Sequence, residues 1–164
     1  MLCSFQEAIH MPVQLVGTEV KKLAASNALG FVFTARAEEQ FYLTNNLPEQ
    51  LGSIFAGINP RRLDEDLLEL QSKKALKLLL DSYLLEDFIS QSYLAIKNSK
   101  LDSQMVLRRP DSKMLEAAGD RRAALIALKR VWSHDWAFEA LVKRLDAKGK
   151  VGIDARATYI FAKI

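Results

Sequence analysis

The side chains of this chain that could do chemistry are few and scattered: one cysteine, Cys3, two histidines, His10 and His134, and 20 carboxylates. A metal site needs several ligands converging on one ion. His134 and Asp135 are sequence neighbours, so on a helix they point about 100° apart, and no HExxH, paired CxxC or EF-hand loop accompanies them. Cys3 lacks the cationic or helix-terminal setting that lowers a thiol pKa. His134 would act as a base only if an acid and a nucleophile converged on it; the plainer place for its ring is a helix joint between Trp132 and Trp136. Asp64-Glu65-Asp66, Glu69, Glu86-Asp87 and Glu116 fall where helix starts or solvated faces account for them, and no spacing singles out a glycosidase-like pair. Neither GxGxxG nor GxxxxGK[ST] occurs, and Lys148-Gly149-Lys150 lacks the preceding glycine-rich loop. No catalytic residue, metal or cofactor is nominated, and a small enzyme with an unrecognised site ranks last among three readings.

Binding is better represented. Trp132 and Trp136 are four apart and, with Phe138 nearby, can form one aromatic ridge, which is either buried against neighbouring helices in the core or presented to a partner. Leu78-Leu79-Leu80 and Tyr83-Leu84-Leu85 place apolar surface on more than one side of a helix. Trp132, Trp136, Phe138 and Tyr83 are therefore the candidate contact residues of a non-catalytic adaptor or regulatory protein that binds another protein or itself. The alternative is nucleic acid. Arg108, Arg109, Arg121, Arg122, Lys129 and Arg130 cluster in a basic stretch running to Lys150, and some of them would share the helix face opposite an alanine stripe. Against it, the segment after Ser133 opens His-Asp-Trp-Ala-Phe-Glu, where a recognition helix would show base-reading Arg, Asn or Gln.

Composition frames both readings. The 164 residues are 49% hydrophobic and 26% charged, with a net charge of +3, which suits a folded domain and not a disordered chain. The first 60 residues hold three basic and five acidic side chains, so the basic excess lies wholly downstream. A lone cysteine asks for no oxidising compartment. Residues 1–8 carry no basic n-region or long apolar run, and the later leucine runs are interrupted by charge. The expectation is a cytoplasmic protein of bacterial or phage-like type without membrane insertion, with signal-independent export left open.

The elements that must position these residues centre on Leu63 to Asn98, free of Gly and Pro, with apolar positions three and four apart. Asp81-Ser82 is its natural interruption, because both side chains compete for backbone hydrogen bonds. Upstream, Val13 to Val16 reads as a short strand. Phe31 to Phe33 reads as a strand followed by a helix capped at Thr34. Met105 to Leu107 reads as linker or edge strand, and Asp111 or Ser112 would cap a short helix reaching Ala118. Asp120 is expected to cap the alanine-rich helix and Ser133 the next one. The tail from Val151 to Ile164 alternates like a strand that could pair with the Phe31 region. The expected fold class is α+β: a mainly helical single domain over residues 1–164 with a small, two- or three-stranded sheet, any sub-boundary falling at 98–110.

Overall fold

The computed structural model describes residues 1–101 and 103–163; Asp102 and Ile164, which belong to the expected linker and tail strand, lie outside them. Among the described residues there are nine α-helices and a five-stranded sheet in the order β1-β2-β5-β3-β4, antiparallel at every pairing. The strands are β1 (Leu2–Ser4), β2 (Gly30–Phe33), β3 (Met105–Arg108), β4 (Glu116–Ala118) and β5 (Thr158–Ala162). The expectation of a small sheet is thus corrected. The tail does pair with the Phe31 region, Phe31 opposite Ile160, but β5 also pairs with β3, Leu107 opposite Ile160. Met105 to Leu107 is therefore interior to the sheet. The region expected to form a helix up to Ala118 supplies β4 instead, because Met105–Leu107 offers it a free edge to pair with.

Alternation along the strands sorts side chains between two layers. Phe31, Phe33, Met105, Leu107 and Ile160 enter the larger core, which is completed by α4 (Ala35–Thr44), α5 (Leu47–Phe55), α6 (Glu65–Asp81), α7 (Glu86–Asn98), α8 (Arg121–Ser133) and α9 (Phe138–Lys148). Val32 and Tyr159 enter a smaller core on the other face, with α1 (Phe5–Ala8), α2 (Val13–Val16) and α3 (Val20–Ala25). Val13 to Val16 is a helical turn and not the expected strand: Pro12, with its fixed φ, leads into it, and Gly17 ends it at φ 81. A Cβ at Gly17 would collide with the Tyr159 hydroxyl and Pro110, so this turn sits against the sheet only because the side chain is missing.

Helix boundaries follow local chemistry. Asp64 accepts from the Leu67 amide at 3.1 Å and starts α6; Ser82, with extended backbone, stops it, so the long leucine segment is two helices divided at Asp81-Ser82. Asp120 accepts from the Ala123 amide at 2.7 Å and starts α8. Ser133 does not cap the next helix: α8 runs into a 3-10 turn, His134–Trp136, and α9 begins at Phe138. In α5 the buried stripe is Leu47, Leu51 and Phe55, while Pro48 and Gly52 lie on the exposed side. A glycine inside a helix costs about 1 kcal/mol relative to alanine, yet a Cβ placed there meets nothing within 4 Å.

Candidate functional site

Arg108 and Arg109 are consecutive, so they leave the end of β3 toward opposite faces of the sheet, and each anchors one layer. Arg108 makes a two-pronged pair with Glu19 at 2.7 and 2.6 Å, over the rings of Tyr159 and Phe161. The same carboxylate accepts from the Asp111 amide, while Tyr159 Oη accepts from the Glu19 amide at 3.3 Å. Hydrogen bonding from Arg108 is the main reason the Glu19 pKa falls to about 2. A carboxylate held below its unfolded pKa contributes stability that is complete above that value and is lost as pH falls through the folded one. Acid should therefore destabilise the protein between about pH 4.5 and 2 through Glu19, by about 2 kcal/mol after allowing for solvent screening. Urea unfolding at pH 7, 4 and 2.5 checks this: in Glu19→Gln that share of the acid sensitivity should be gone.

Arg109 enters the larger core. Its guanidinium meets both oxygens of Glu38 at 2.5 and 2.8 Å, and its Nη2 also donates to Asp135 Oδ2 at 2.8 Å. Arg156 completes the set, its Nη2 donating to Asp135 Oδ1 at 2.6 Å and its backbone amide to Glu38 Oε1 at 2.9 Å. Arg144 donates to the Asp135 carbonyl and lies 4.7 Å from the centroid of the Trp136 ring. The Trp136 indole N–H donates to Tyr42 Oη at 2.8 Å. Burial pushes the Glu38 carboxyl up and the Tyr42 hydroxyl well up. Burial also works against the Arg109 charge, but the Glu38 and Asp135 carboxylates outweigh it and hold the guanidinium more firmly protonated than usual.

This cluster has the ingredients of an acid–base site but not the access. The Glu38 and Arg109 side chains are 0% and 4% exposed, and both Glu38 oxygens are occupied by donors. What the arrangement does is tie α4, the end of β3, the 3-10 turn and the approach to β5 to one another. Among the described residues no three His, Cys, Asp or Glu side chains are placed to hold a metal ion, and no helix is long and apolar enough to cross a membrane.

The structure disperses the residues singled out by sequence. Trp132 and Trp136 are 1% and 2% exposed, so the expected ridge lies inside the fold. Trp132 packs against Phe41 and Phe88 and donates to Thr158 Oγ1; Trp136 stacks on Phe55. Phe138 is partly buried against the same core, and of the four only Tyr83 stands exposed. The basic set does not form a phosphate-tracking stripe either. Arg109 is interior, Arg108 is paired with Glu19, and Lys129 donates to the carbonyls of Leu80 and Ser82, closing the end of α6. Arg121, Arg122 and Arg130 remain on the surface, Arg121 over the Tyr93 ring.

A different surface gathers around Tyr83. The loop joining α6 to α7 is fixed to the end of α4 by Asn45, whose Nδ2 donates to the Tyr83 carbonyl at 2.9 Å and whose Oδ1 accepts from the Tyr83 amide at 3.2 Å. Tyr83 and Leu85 then flank a shallow dent that includes Gln40 and Thr44 of α4. Gln40 also borders a second hollow, beside Met1 and Leu43. Tyr83 and Leu43 are 61% and 65% exposed. Sequence reasoning found Tyr83 but missed Leu43 and Asn45, since only the fold brings α4 to this loop.

No protein-family model matches the chain, and no curated protein matches it either.

Proposed function

We propose that this is a non-catalytic binding protein of the adaptor or regulatory type, which meets another protein through the apolar surface of Leu43, Tyr83 and Leu85. The observation that carries the reading is the Asn45 clamp on the Tyr83 backbone. A tyrosine and a leucine on a pinned loop, beside a leucine held by a helix, lose little conformational freedom on binding, which is how exposed apolar groups contribute affinity instead of merely collapsing on themselves. The sealed Glu38–Arg109–Asp135 cluster supports the non-catalytic part, because chemistry needs a group that substrate can reach.

The test is affinity purification from the source cells with variants of exposed residues only, which should leave the fold intact. Leu43→Glu and Tyr83→Ala are each expected to reduce recovery of a stoichiometric partner by about tenfold or more. Leu70→Glu, at an exposed leucine elsewhere on α6, should not. Recovery of the same partner with Leu43→Glu and Tyr83→Ala would sink the reading.

A further inference from the structure

We propose that Lys129 is the positioning residue of the Tyr83 surface: one ammonium on α8 sets the shape of the loop between α6 and α7, and through it the strength of partner binding, without touching the partner. The inference rests on reading Leu43, Tyr83 and Leu85 as a docking surface, and it names what controls that surface.

The end of α6 leaves acceptors that neither flanking helix serves. α6 stops at Asp81, Ser82 takes an extended backbone, and α7 begins only at Glu86. The carbonyls of Leu80 and Ser82 thus have no following helical amide to accept from. Lys129 supplies the donor from a different helix, its Nζ reaching the Leu80 oxygen at 3.0 Å and the Ser82 oxygen at 2.8 Å. A positive charge is favoured in this place, because the C-terminus of a helix carries the negative end of its dipole. Asp81 does not draw Lys129 away, since its carboxylate accepts from Lys77 on its own helix at 2.7 Å.

The second acceptor decides the case. The Ser82 carbonyl and the Tyr83 amide belong to one trans peptide unit, whose C=O and N–H point in opposite directions. Lys129 of α8 holds that unit by its oxygen, and Asn45 at the end of α4 holds it by its N–H at 3.2 Å. The plane that orients Tyr83 is therefore gripped at both ends by side chains of two helices remote in sequence. Asn45 grips it from the side of Leu43. Lys129 grips it from the far side, clear of whatever sits on Leu43 and Tyr83. Without Lys129 the plane is held at one end only and can swing.

The test replaces Lys129 with methionine, which keeps the length of the stem and removes the donors. Two quantities are read in the intact protein: amide hydrogen exchange at Tyr83, and recovery of the stoichiometric partner from the source cells. Exchange at Tyr83 should rise about tenfold more than exchange at Ile160 in β5, the size expected of a charge-assisted hydrogen bond lost locally. Partner recovery should fall by a similar factor. Arg130→Met removes the neighbouring exposed cation of α8 and should change neither. Lys129→Gln, too short to reach both carbonyls, repeats the test should Lys129→Met fail to fold. Equal changes at Tyr83 and Ile160, full recovery of the partner by a chain whose Tyr83 exchange has risen, or the same losses in Arg130→Met would each overturn the proposal. Failure of the docking reading looks different: Leu43→Glu and Tyr83→Ala then leave recovery intact, while the exchange contrast between Lys129→Met and Arg130→Met persists.

Discussion

Replacing Arg109 with leucine is expected to lower the free energy of unfolding by about 3–5 kcal/mol, because it strands the Glu38 carboxylate in the core without its counter-charge. Arg109 also reaches Asp135 at 2.8 Å and the Arg156 carbonyl at 3.2 Å, so the same change frees the 3-10 turn and the approach to β5 from α4. A stability of about 5–15 kcal/mol is usual for a protein of this kind, so the variant should stand near the edge of folding at room temperature. Adding Glu38→Leu to Arg109→Leu should restore part of the loss, since two apolar groups leave no orphaned charge. Urea denaturation of the single and double variants measures both effects. A cost below about 1 kcal/mol for Arg109→Leu would mean that Glu38 is neutral in the folded state and that the pair is not an ion pair at all.

Trp132→Ala should cost about as much for a different reason, about 3–5 kcal/mol from lost burial and the cavity left behind. Its ring lies 4.9 Å from Phe41 and 6.4 Å from Phe88, joining α8 to α4 and α7, while its N–H bonds Thr158 at the start of β5. In a chain of this length the melting temperature should fall by roughly 8–15 °C. Trp132→Phe keeps most of the packing and should lose markedly less. A melting temperature within about 2 °C of wild type for Trp132→Ala would remove this residue from the core. The contrast with Tyr83→Ala is the informative one: that exposed side chain should leave the melting temperature nearly unchanged.

Local chemistry made the helices readable. The 3.6-residue pattern, the carboxylates of Asp64 and Asp120 and the break at Asp81-Ser82 act within a few residues, so their effect is written beside them. The sheet was less legible because its pairings are remote. Met105 to Leu107 is a three-residue apolar island whose burial depends on β5, some fifty residues on, and nothing near it announces that neighbour. The same blindness misdirected the site. Two tryptophans four apart look like a surface ridge, but the 3-10 turn between them rotates Trp136 onto Phe55 and Tyr42, inside the protein. Arg108 and Arg109 look like a basic doublet, while strand alternation sends them to carboxylates on opposite faces of the sheet. Those carboxylates, Glu19, Glu38 and Asp135, stand among ordinary charged residues, and no spacing marks them out.

The position of β5 has a consequence for how the protein comes to exist. It is the last strand to be synthesised, yet it lies between β2 and β3, so the β1–β2 and β3–β4 pairs have no sheet contact with each other until it arrives. On the ribosome, two half-sheets with an unpaired edge each must wait for Tyr159 and Ile160 to emerge. Closure of the sheet is then a long-range event of the kind that slows folding and leaves strand edges exposed meanwhile. The nascent chain is most exposed to misassociation in that interval, and β5 is the keystone that ends it.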